Sequence, residues 1–278
     1  MLAVIDVGNS NIVLGVYEGL SLRACLRFRT EHKATSDELG LLMSQGLAHQ
    51  NICVSPVEAV CVVSEVPQLN WVIEKICLDY FQQTALWVNQ QLVIPVRCLL
   101  DAGYQPGADR LVNAYAASKR YLSPVIVIDM GTVTTLDVVN ASGEYLGGAI
   151  VPGLEISREA LFKAAAAGLS WVNLKHPERV IGKNREEQIQ IGLILGYAGL
   201  IDGLVTRMQK ELEKPSQVIA TGGLAPFMKQ ASKKIEIIDP DLTLSGLSLL
   251  YQEYKSGTRD SFSLDRPQCV VGHQEAAC

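Results

Sequence analysis

The chain has 278 residues, of which 48% are hydrophobic and 19% are charged, and its formal net charge is −5 at pH 7. This composition is typical of a globular protein large enough for two domains and excludes a disordered chain. The acidic balance disfavours a nucleic-acid-binding surface, and we find neither a signal-peptide core nor an apolar run approaching the roughly 20 residues of a membrane span.

Cysteine usage points to the same kind of protein. The seven cysteines form an odd set without a CxxC pair, which fits a reducing cytosol better than a disulfide framework. We therefore predict a cytoplasmic protein without nucleic-acid or membrane partners.

The first half of the chain is predicted to begin with three strands, LAVID, IVLGVY and SLRACLRFRT. A helix follows from Thr35 to Leu47, with Ser36 as its N-cap. The apolar AVCVVSEVP is a buried strand, and helical periodicity then continues to about Phe81. TALWV is another strand, and Pro106 to Tyr121 is a helix, so a first domain over residues 1–121 is expected.

The second half repeats this beginning. VIVIDM at 125–130 is followed by GTVTT, LDVVN and GEYLGGAIV, and Val127–Gly131 matches Val4–Gly8 position by position in type. Such self-similarity indicates an internal repeat at the scale of a domain. Helices at 154–167, 185–213 and 243–254 and strands SQVIATGG and IEIID complete a second domain over residues 122–255. Residues 256–278 lack periodicity and are predicted to be a poorly ordered tail.

The loop after the first strand carries the chemistry of a phosphate site. Gly8 permits a tight turn, and Asn9, Ser10 and Asn11 are small polar residues that can surround phosphate oxygens. Asp6, at the end of the strand, offers a carboxylate to a hard cation. A plain hairpin turn would use the same residues.

The corresponding loop of the second half begins at Asp129 and continues through Gly131 and Thr132. One such hairpin means little, but two at matching positions of two similar halves predict loops that grip a polyphosphate from both sides of a cleft with Mg²⁺. The sequence contains no Walker A motif and no GxGxxG after a strand, which disfavours P-loop and Rossmann nucleotide sites.

Two further motifs add to the predicted site. Gly222-Gly223 follows the strand QVIA, where glycines allow a flat ligand such as adenosine to approach, although such a pair is often a packing device. Gly107-Ala108-Asp109-Arg110 begins a helix, so its free amides can hold a polar substrate. Arg110 can bind a carboxylate, and Asp109 can accept a hydroxyl proton during phosphoryl transfer. The alternative is that Asp109 and Arg110 cap the helix and form a surface pair.

Together these motifs resemble the actin–hexokinase–Hsp70 superfamily and, within it, the type III pantothenate kinase family. The resemblance covers nearly the whole chain up to about residue 250. It is carried by Asp6–Val13, GADRLVNA at 107–114, IDMGTVTTLDVV at 128–139, GGAIVPGLEISREAL at 147–161, VIGKN at 180–184 and IQIG at 189–192.

The resemblance implies two ribonuclease H-like α/β domains of the actin-like type with an interdomain cleft. It implies transfer of the ATP γ-phosphate to the 4′-hydroxyl of pantothenate, the first step of coenzyme A biosynthesis, by a homodimer. Asp109 would be the catalytic base, and Asp129 would bind a monovalent cation (K⁺ or NH₄⁺). Asp6 would also be a metal-binding residue, with its carboxylate organising Mg²⁺. The residues expected at the nucleotide are Asp6, Val7, Gly8, Asn9, Ser10, Asn11, Ile12, Val13, Thr132, Gly222 and Gly223. Those expected at the acceptor are Gly107, Ala108, Asp109, Arg110 and Arg185.

Two positions depart from the family pattern on the acceptor side. The family usually has GKNT, whereas this chain has Arg185 in place of that Thr, and a long charged side chain cannot mimic a hydroxyl at the same reach. The family usually has a Tyr where this chain has Leu100, although Tyr104 is nearby. Two alternatives therefore remain: a superfamily kinase for another small alcohol, and a catalytically weak regulatory homologue of the Bvg accessory factor type. The three aspartates count against the regulator.

Overall fold

The structure is a computed structural model that describes residues 1–55, 57–164, 171–212 and 214–257. Its contacts divide the chain into two compact units. The first unit contains residues 1–119 together with the chain from residue 241, and the second contains residues 120–240.

The first unit contains a mixed five-stranded sheet with strand order β3-β2-β1-β4-β5. Its strands are β1 (Leu2–Val7), β2 (Asn11–Glu18), β3 (Ser21–Arg29), β4 (Ala59–Ser64) and β5 (Ala85–Trp87). β1, β2 and β3 form an antiparallel meander, whereas β4 pairs parallel with β1 and β5 pairs parallel with β4. The carboxyl ends of β1 and β4 therefore lie at the same edge of the sheet.

Helices cover this sheet because its strands are apolar on both faces. α1 and α2 pack on one face, where Ile5 and Val7 meet Met43 and Ile73 in a buried core. The helices of the unit are α1 (Ser36–His49), α2 (Asn70–Asp79, after a 3₁₀ turn at Pro67–Leu69), α3 (Ala108–Arg120) and the last helix of the chain (Leu242–Lys255).

The start of α1 corrects one detail of the sequence prediction. The N-cap is Thr35 and not Ser36, because the Thr35 side chain accepts the Glu38 N–H while Glu38 accepts the Thr35 N–H. This reciprocal pair is a capping box, which satisfies two backbone donors at once.

The last helix (Leu242–Lys255) packs against β1, β2 and β4 of the first unit. Gly246 brings it close to α3, since a Cβ at Gly246 would lie 2.7 Å from a methyl carbon of Val112. This arrangement differs from the predicted domain over 122–255, which followed chain order alone. The helix returns to the first unit because its leucines are buried there rather than in the core of the second unit.

The second unit repeats the sheet of the first, with strand order β10-β9-β6-β7-β8. Its strands are β6 (Val125–Met130), β7 (Val133–Val139), β8 (Tyr145–Pro152), β9 (Gln217–Thr221) and β10 (Ile237–Ile238). β6, β7 and β8 are antiparallel neighbours, and β9 and β10 continue the sheet in parallel. An antiparallel meander extended by parallel strands in both units is the ribonuclease H-like arrangement, so the predicted fold class is confirmed.

The helices of the second unit surround a core that contains Leu193, Tyr197, Ile201 and Val205. They are α4 (Leu154–Ala164), α5 (Arg185–Gln190), α6 (Gly196–Glu211) and α7 (Ala225–Lys229), and the last helix of the first unit is therefore α8. A π-helical turn at Ile191–Leu195 joins α5 to α6, so the predicted long helix forms with one irregular turn.

The segment Arg185–Glu211 is 27 residues long and apolar enough, by length and composition, to cross a membrane. The expectation that no apolar run approaches this length was therefore wrong. One such helix is weak evidence for a membrane span, because the core helix of a soluble protein meets the same criteria. Here its buried side chains belong to the core of the second unit.

Two other sequence expectations meet the structure only in part. Cys25, Cys53, Cys61 and Cys77 are free thiols, whereas Cys269 and Cys278 lie outside the described residues. Most of the predicted tail over 256–278 lies outside the described residues.

Candidate active site

The first predicted phosphate loop joins β1 to β2. Asp6 is half-buried at the end of an otherwise buried strand, and Asn9, Ser10 and Asn11 are exposed. The turn is tight because the Gly8 N–H donates to the Asn11 carbonyl oxygen over 3.0 Å. The loop therefore presents small polar residues to solvent beside a partly accessible carboxylate, as a phosphate site requires.

Thr30, which the sequence prediction missed, holds this loop from the end of β3. Its hydroxyl donates to the Gly8 carbonyl oxygen over 2.6 Å, and its N–H donates to the Ser10 carbonyl oxygen over 3.0 Å. Thr30 is itself buried. Its position directly after the alternating third strand was the available sequence signal.

The second predicted loop joins β6 to β7 and repeats the first. β1 and β6 have the same burial pattern, with Asp6 and Asp129 as the corresponding half-buried residues. Asp6 lies opposite Val13 and Asp129 lies opposite Thr135, so each carboxylate lies one residue before the last pair of its hairpin, although the second hairpin is one residue shorter. The internal repeat predicted from sequence is therefore present in three dimensions.

Two glycines enclose the backbone of the second loop. A Cβ at Gly153 would overlap the Thr132 carbonyl oxygen, and a Cβ at Gly222 would lie 2.6 Å from the Met130 carbonyl oxygen. Gly222 also has φ +88°, a conformation that favours glycine. Gly153 precedes the first turn of α4, so the structure brings Thr132, the start of α4 and the Gly222-Gly223 turn together within the second unit.

The outer side of the glycine turn is open. Within the part of the chain that the structure describes, no atom outside the immediate chain neighbours lies within 4 Å of a Cβ built at Gly223. Gly222 is thus explained by packing against Met130, whereas Gly223 leaves space that a ligand could occupy.

The motif Gly107–Arg110 lies at the start of α3, as predicted. The Asp109 carboxylate accepts the Arg110 N–H over 2.7 Å, so it does interact with the helix N-terminus. Arg110 is only 7% exposed, and its guanidinium donates to the Tyr104 hydroxyl over 3.4 Å. The alternative of a surface pair is therefore wrong for Arg110. Tyr104, noted above as a neighbour of the motif, does reach it.

Glu65 is a second residue that the sequence prediction missed. It follows β4 directly, and its carboxylate accepts the Ala108 N–H over 2.9 Å. Glu65 thereby connects the edge of the sheet that carries Asp6 with the helix that carries Asp109. The signal that could have revealed it is a charged residue at the carboxyl end of a buried parallel strand, where functional side chains collect in α/β sheets.

Arg185 is exposed at the beginning of α5, which Asn184 caps by accepting the Glu187 N–H. It lines a pocket of about 500 Å³ together with Ser157 and Leu161 of α4 and residues of the following helix. The guanidinium is thus available to a ligand within the second unit.

Buried hydroxyl groups connect the strands that flank the second loop to the long helix. The Tyr197 hydroxyl donates to the Pro152 carbonyl oxygen over 3.0 Å and shares a hydrogen bond of 2.7 Å with the Thr134 hydroxyl. Burial raises the pKa of the Tyr197 hydroxyl, although the Thr134 hydrogen bond lowers it in part. Tyr197 therefore remains a neutral donor that ties β7 and β8 to the long helix.

Comparison with known proteins identifies the family of this chain. Residues 2–207 match the family model of type III pantothenate kinase. The type III pantothenate kinase of Anaeromyxobacter sp. (strain K) is 43% identical over 252 residues, which cover 91% of this chain and 99% of that protein. That of Geobacillus kaustophilus is 42% identical over 253 residues, covering 91% and 98%.

Among solved structures, a Baf family protein from Campylobacter jejuni superposes with a TM-score of 0.57 at 16% identity, covering 91% of this chain and 99% of that one. This likeness concerns the fold alone. The matched family model and the relatives at more than 40% identity decide the assignment: the chain belongs to the type III pantothenate kinase family, and it is a kinase.

Proposed function

We propose that the protein transfers the γ-phosphate of ATP to the 4′-hydroxyl of pantothenate, giving 4′-phosphopantothenate, the first step of coenzyme A biosynthesis. The observation that carries this proposal is the start of α3, where Asp109 is half-buried directly beside the buried Arg110 in a chain of this family. The acceptor is taken from the names of the relatives.

Asp109 acts as the base in this proposal. Its carboxylate takes the proton of the 4′-hydroxyl as the hydroxyl oxygen bonds to the γ-phosphorus, while the bond from that phosphorus to the β,γ-bridging oxygen breaks and ADP leaves. Arg110 offers a planar pair of donors to the carboxylate of pantothenate. Its burial and its contact with Tyr104 limit the orientations it can adopt, which favours a defined position for the acceptor.

The nucleotide is assigned to the two loops and the glycine turn. The loop from Gly8 to Asn11 and Thr132 offer hydroxyls, amides and backbone N–H groups to phosphate oxygens. The open side of Gly223 offers space for the adenosine. Asp6 and Asp129 end their strands in equivalent positions, and both are partly accessible.

A divalent metal fits these residues. Mg²⁺ is usually held by one or two carboxylates plus phosphates and water, and it supplies charge neutralisation to the transferring phosphoryl group. Asp6, at the end of β1, is the carboxylate that we assign to it. Among the described residues there is no cluster of three or more His, Cys, Asp or Glu side chains that could hold a metal ion. We also assign the monovalent cation, K⁺ or NH₄⁺, to Asp129.

A homodimer in the cytoplasm completes the proposal. Gly192, Gly196, Gly199 and Gly203 recur at helical spacing on the long helix, and, apart from chain neighbours and the helix's own backbone, none of the other described residues lies within 4 Å of a Cβ built at any of them. Small residues allow two helices to approach closely, which supports a second copy at this surface. Sedimentation equilibrium would give twice the chain mass if this is correct and a single chain mass if it is not.

Two other functions compete with this one. Arg185, in the pocket beside α4, would favour a different small alcohol, particularly an anionic one. The other is a regulatory role, to which the Baf family structure adds nothing because that likeness extends to the fold only. A regulator would have no use for a base beside a buried arginine.

Product identification separates these possibilities. The full chain is incubated with ATP, Mg²⁺, K⁺ and pantothenate, and the product is identified by mass spectrometry and phosphorus NMR. We expect 4′-phosphopantothenate in amounts equal to ADP. Pantothenate lacking the 4′-hydroxyl serves as the matched control. ADP release no faster than in this control would contradict the proposed acceptor.

A further inference from the structure

Glu65 lies where the sheet of the first unit meets α3. Its N–H donates to the Val7 carbonyl oxygen over 3.0 Å, so the parallel pairing of β1 with β4 continues one residue beyond the strand. This bond fixes the Glu65 backbone two residues beyond Val63, which lies opposite Asp6 on the neighbouring strand.

The Glu65 side chain caps the first amide of α3, which no side chain of the preceding residue can do. The residue before the helix is Gly107, whose carbonyl oxygen accepts the Leu111 N–H. Most helices cap their first amides with the side chain of the N-cap residue, but glycine has none. The Glu65 carboxylate supplies the missing acceptor, to the Ala108 N–H, from 43 positions earlier in the chain.

The same carboxylate is a neighbour of Asp109. A Cβ built at Gly107 would lie 2.6 Å from one Asp109 carboxylate oxygen and 3.1 and 3.2 Å from the two Glu65 carboxylate oxygens. Both acidic groups therefore border the same small space, which exists because residue 107 is glycine. One carboxylate holds the Ala108 N–H and the other holds the Arg110 N–H, so together they order the first turn of α3.

We infer that Glu65 is a positioning residue for phosphoryl transfer: it ties the first turn of α3 to the end of β4 and so holds the Asp109 carboxylate in its reactive position. The inference rests on the proposed role of Asp109 as the base. Glu65 acts through the Ala108 amide and need not touch either substrate. Its contribution is orientation, and displacement of a catalytic group by about 1 Å can reduce turnover about 100-fold.

The test compares Glu65→Ala, Glu65→Gln and wild type. Glu65→Gln keeps an oxygen that can accept the Ala108 N–H, whereas Glu65→Ala removes it. We expect Glu65→Ala to lower kcat by about 10- to 100-fold with little change in the KM for ATP, and Glu65→Gln to retain most of the activity.

Glu38→Ala is the matched control. Glu38 also completes the N-terminal cap of a helix in the same unit, α1, but it belongs to no part of the proposed site. The Glu38→Ala substitution should lower the melting temperature of the protein and leave kcat unchanged. If Glu65→Ala behaves in the same way, Glu65 is merely structural and the inference is overturned.

Amide exchange provides a readout that does not depend on the acceptor. Exchange of the Ala108 amide should be about 10-fold faster in Glu65→Ala than in wild type, and close to wild type in Glu65→Gln. Unchanged exchange in Glu65→Ala overturns the inference, even if wild type fails to phosphorylate pantothenate. Failure of wild type in the kinase assay, with faster exchange in Glu65→Ala, contradicts the proposed acceptor and leaves the anchoring of α3 by Glu65 supported.

Discussion

Arg185 is exposed at the start of α5 and lines a pocket with Ser157 and Leu161. Because a guanidinium can donate hydrogen bonds to amide and hydroxyl oxygens of the acceptor without taking part in the chemistry, Arg185→Ala should raise the KM for pantothenate about 10-fold and leave kcat nearly unchanged. Steady-state kinetics at saturating ATP measure this. Lys183→Ala, which removes an exposed cation two residues earlier, is the control. Equal effects of the two substitutions would mean that Arg185 contributes only general charge.

Cys77 gives a pH dependence of stability. Burial, and secondarily the nearby Glu74 carboxylate, raise the pKa of the Cys77 thiol from 9.0 to about 12. In the unfolded chain this thiol would lose its proton near pH 9, so between pH 9 and pH 12 the folded state binds more protons than the unfolded state. The contribution of Cys77 to stability is therefore complete below pH 9 and is lost as the pH rises towards 12.

Urea unfolding at several pH values tests this dependence. The free energy of unfolding of wild type should fall more steeply above pH 9 than that of Cys77→Ala. Parallel curves for the two proteins would show that Cys77 does not titrate on unfolding.

At the scale of single residues, the sequence predicts residue types better than their partners. Asp109 and Arg110 were recognisable from their motif and from the start of a helix. Thr30 and Glu65 were not, because the groups they bind lie 22 and 43 positions away in the chain. Such contacts depend on which strands become neighbours, and local pattern does not reveal that.

Gly222 and Gly223 form a matched pair at the end of β9. Gly222→Ala should destabilise the second unit by about 1–3 kcal/mol, because φ is +88° and the new methyl group would press on the Met130 backbone. Gly223→Ala meets open space and should change stability by less than about 0.5 kcal/mol. Thermal unfolding of both variants is the measurement. Equal losses would contradict the packing described for this turn.

At the scale of elements, the strands were predictable because apolar β-branched residues run to a turn of small polar residues. The first and last residues of the helices were less predictable than the strands. Capping depends on which of two adjacent hydroxyl residues turns towards the helix, and the structure selects Thr35 over Ser36. The π-helical turn at Ile191–Leu195 was also missed, since its residues have the same apolar periodicity as the helix around it.

Leu247 reports on how the chain is divided into units. It is fully buried in α8, which packs on the sheet of the first unit. Leu247→Ala should cost about 2–5 kcal/mol of stability through the lost contacts and the cavity. The exposed Leu78 of α2 is the control, and Leu78→Ala should be nearly neutral.

Hydrogen exchange shows which unit the Leu247 substitution affects. Protection should fall first in β1 and β4, which α8 covers. A loss confined to β6 and β9 would instead place α8 with the second unit, as chain order alone suggested.

At the scale of the whole molecule, the internal repeat predicted two similar units, because the same order of strand, aspartate, glycine and strand occurs twice. The strand order then agrees between the units, and Asp6 and Asp129 each lie one residue before the last pair of a hairpin. The return of α8 to the first unit was not predictable from periodicity. The sequence of an amphipathic helix shows that one of its faces is buried. It does not show which sheet covers that face.

Turnover of Asp109→Asn is the most direct test of the central claim that this chain is a kinase with its base at the start of α3. With ATP, Mg²⁺, K⁺ and pantothenate, we expect kcat to fall by at least about 100-fold while the KM for ATP stays close to wild type. Asp79→Asn, at the exposed end of α2, should match wild type. Unchanged turnover in Asp109→Asn would contradict the account.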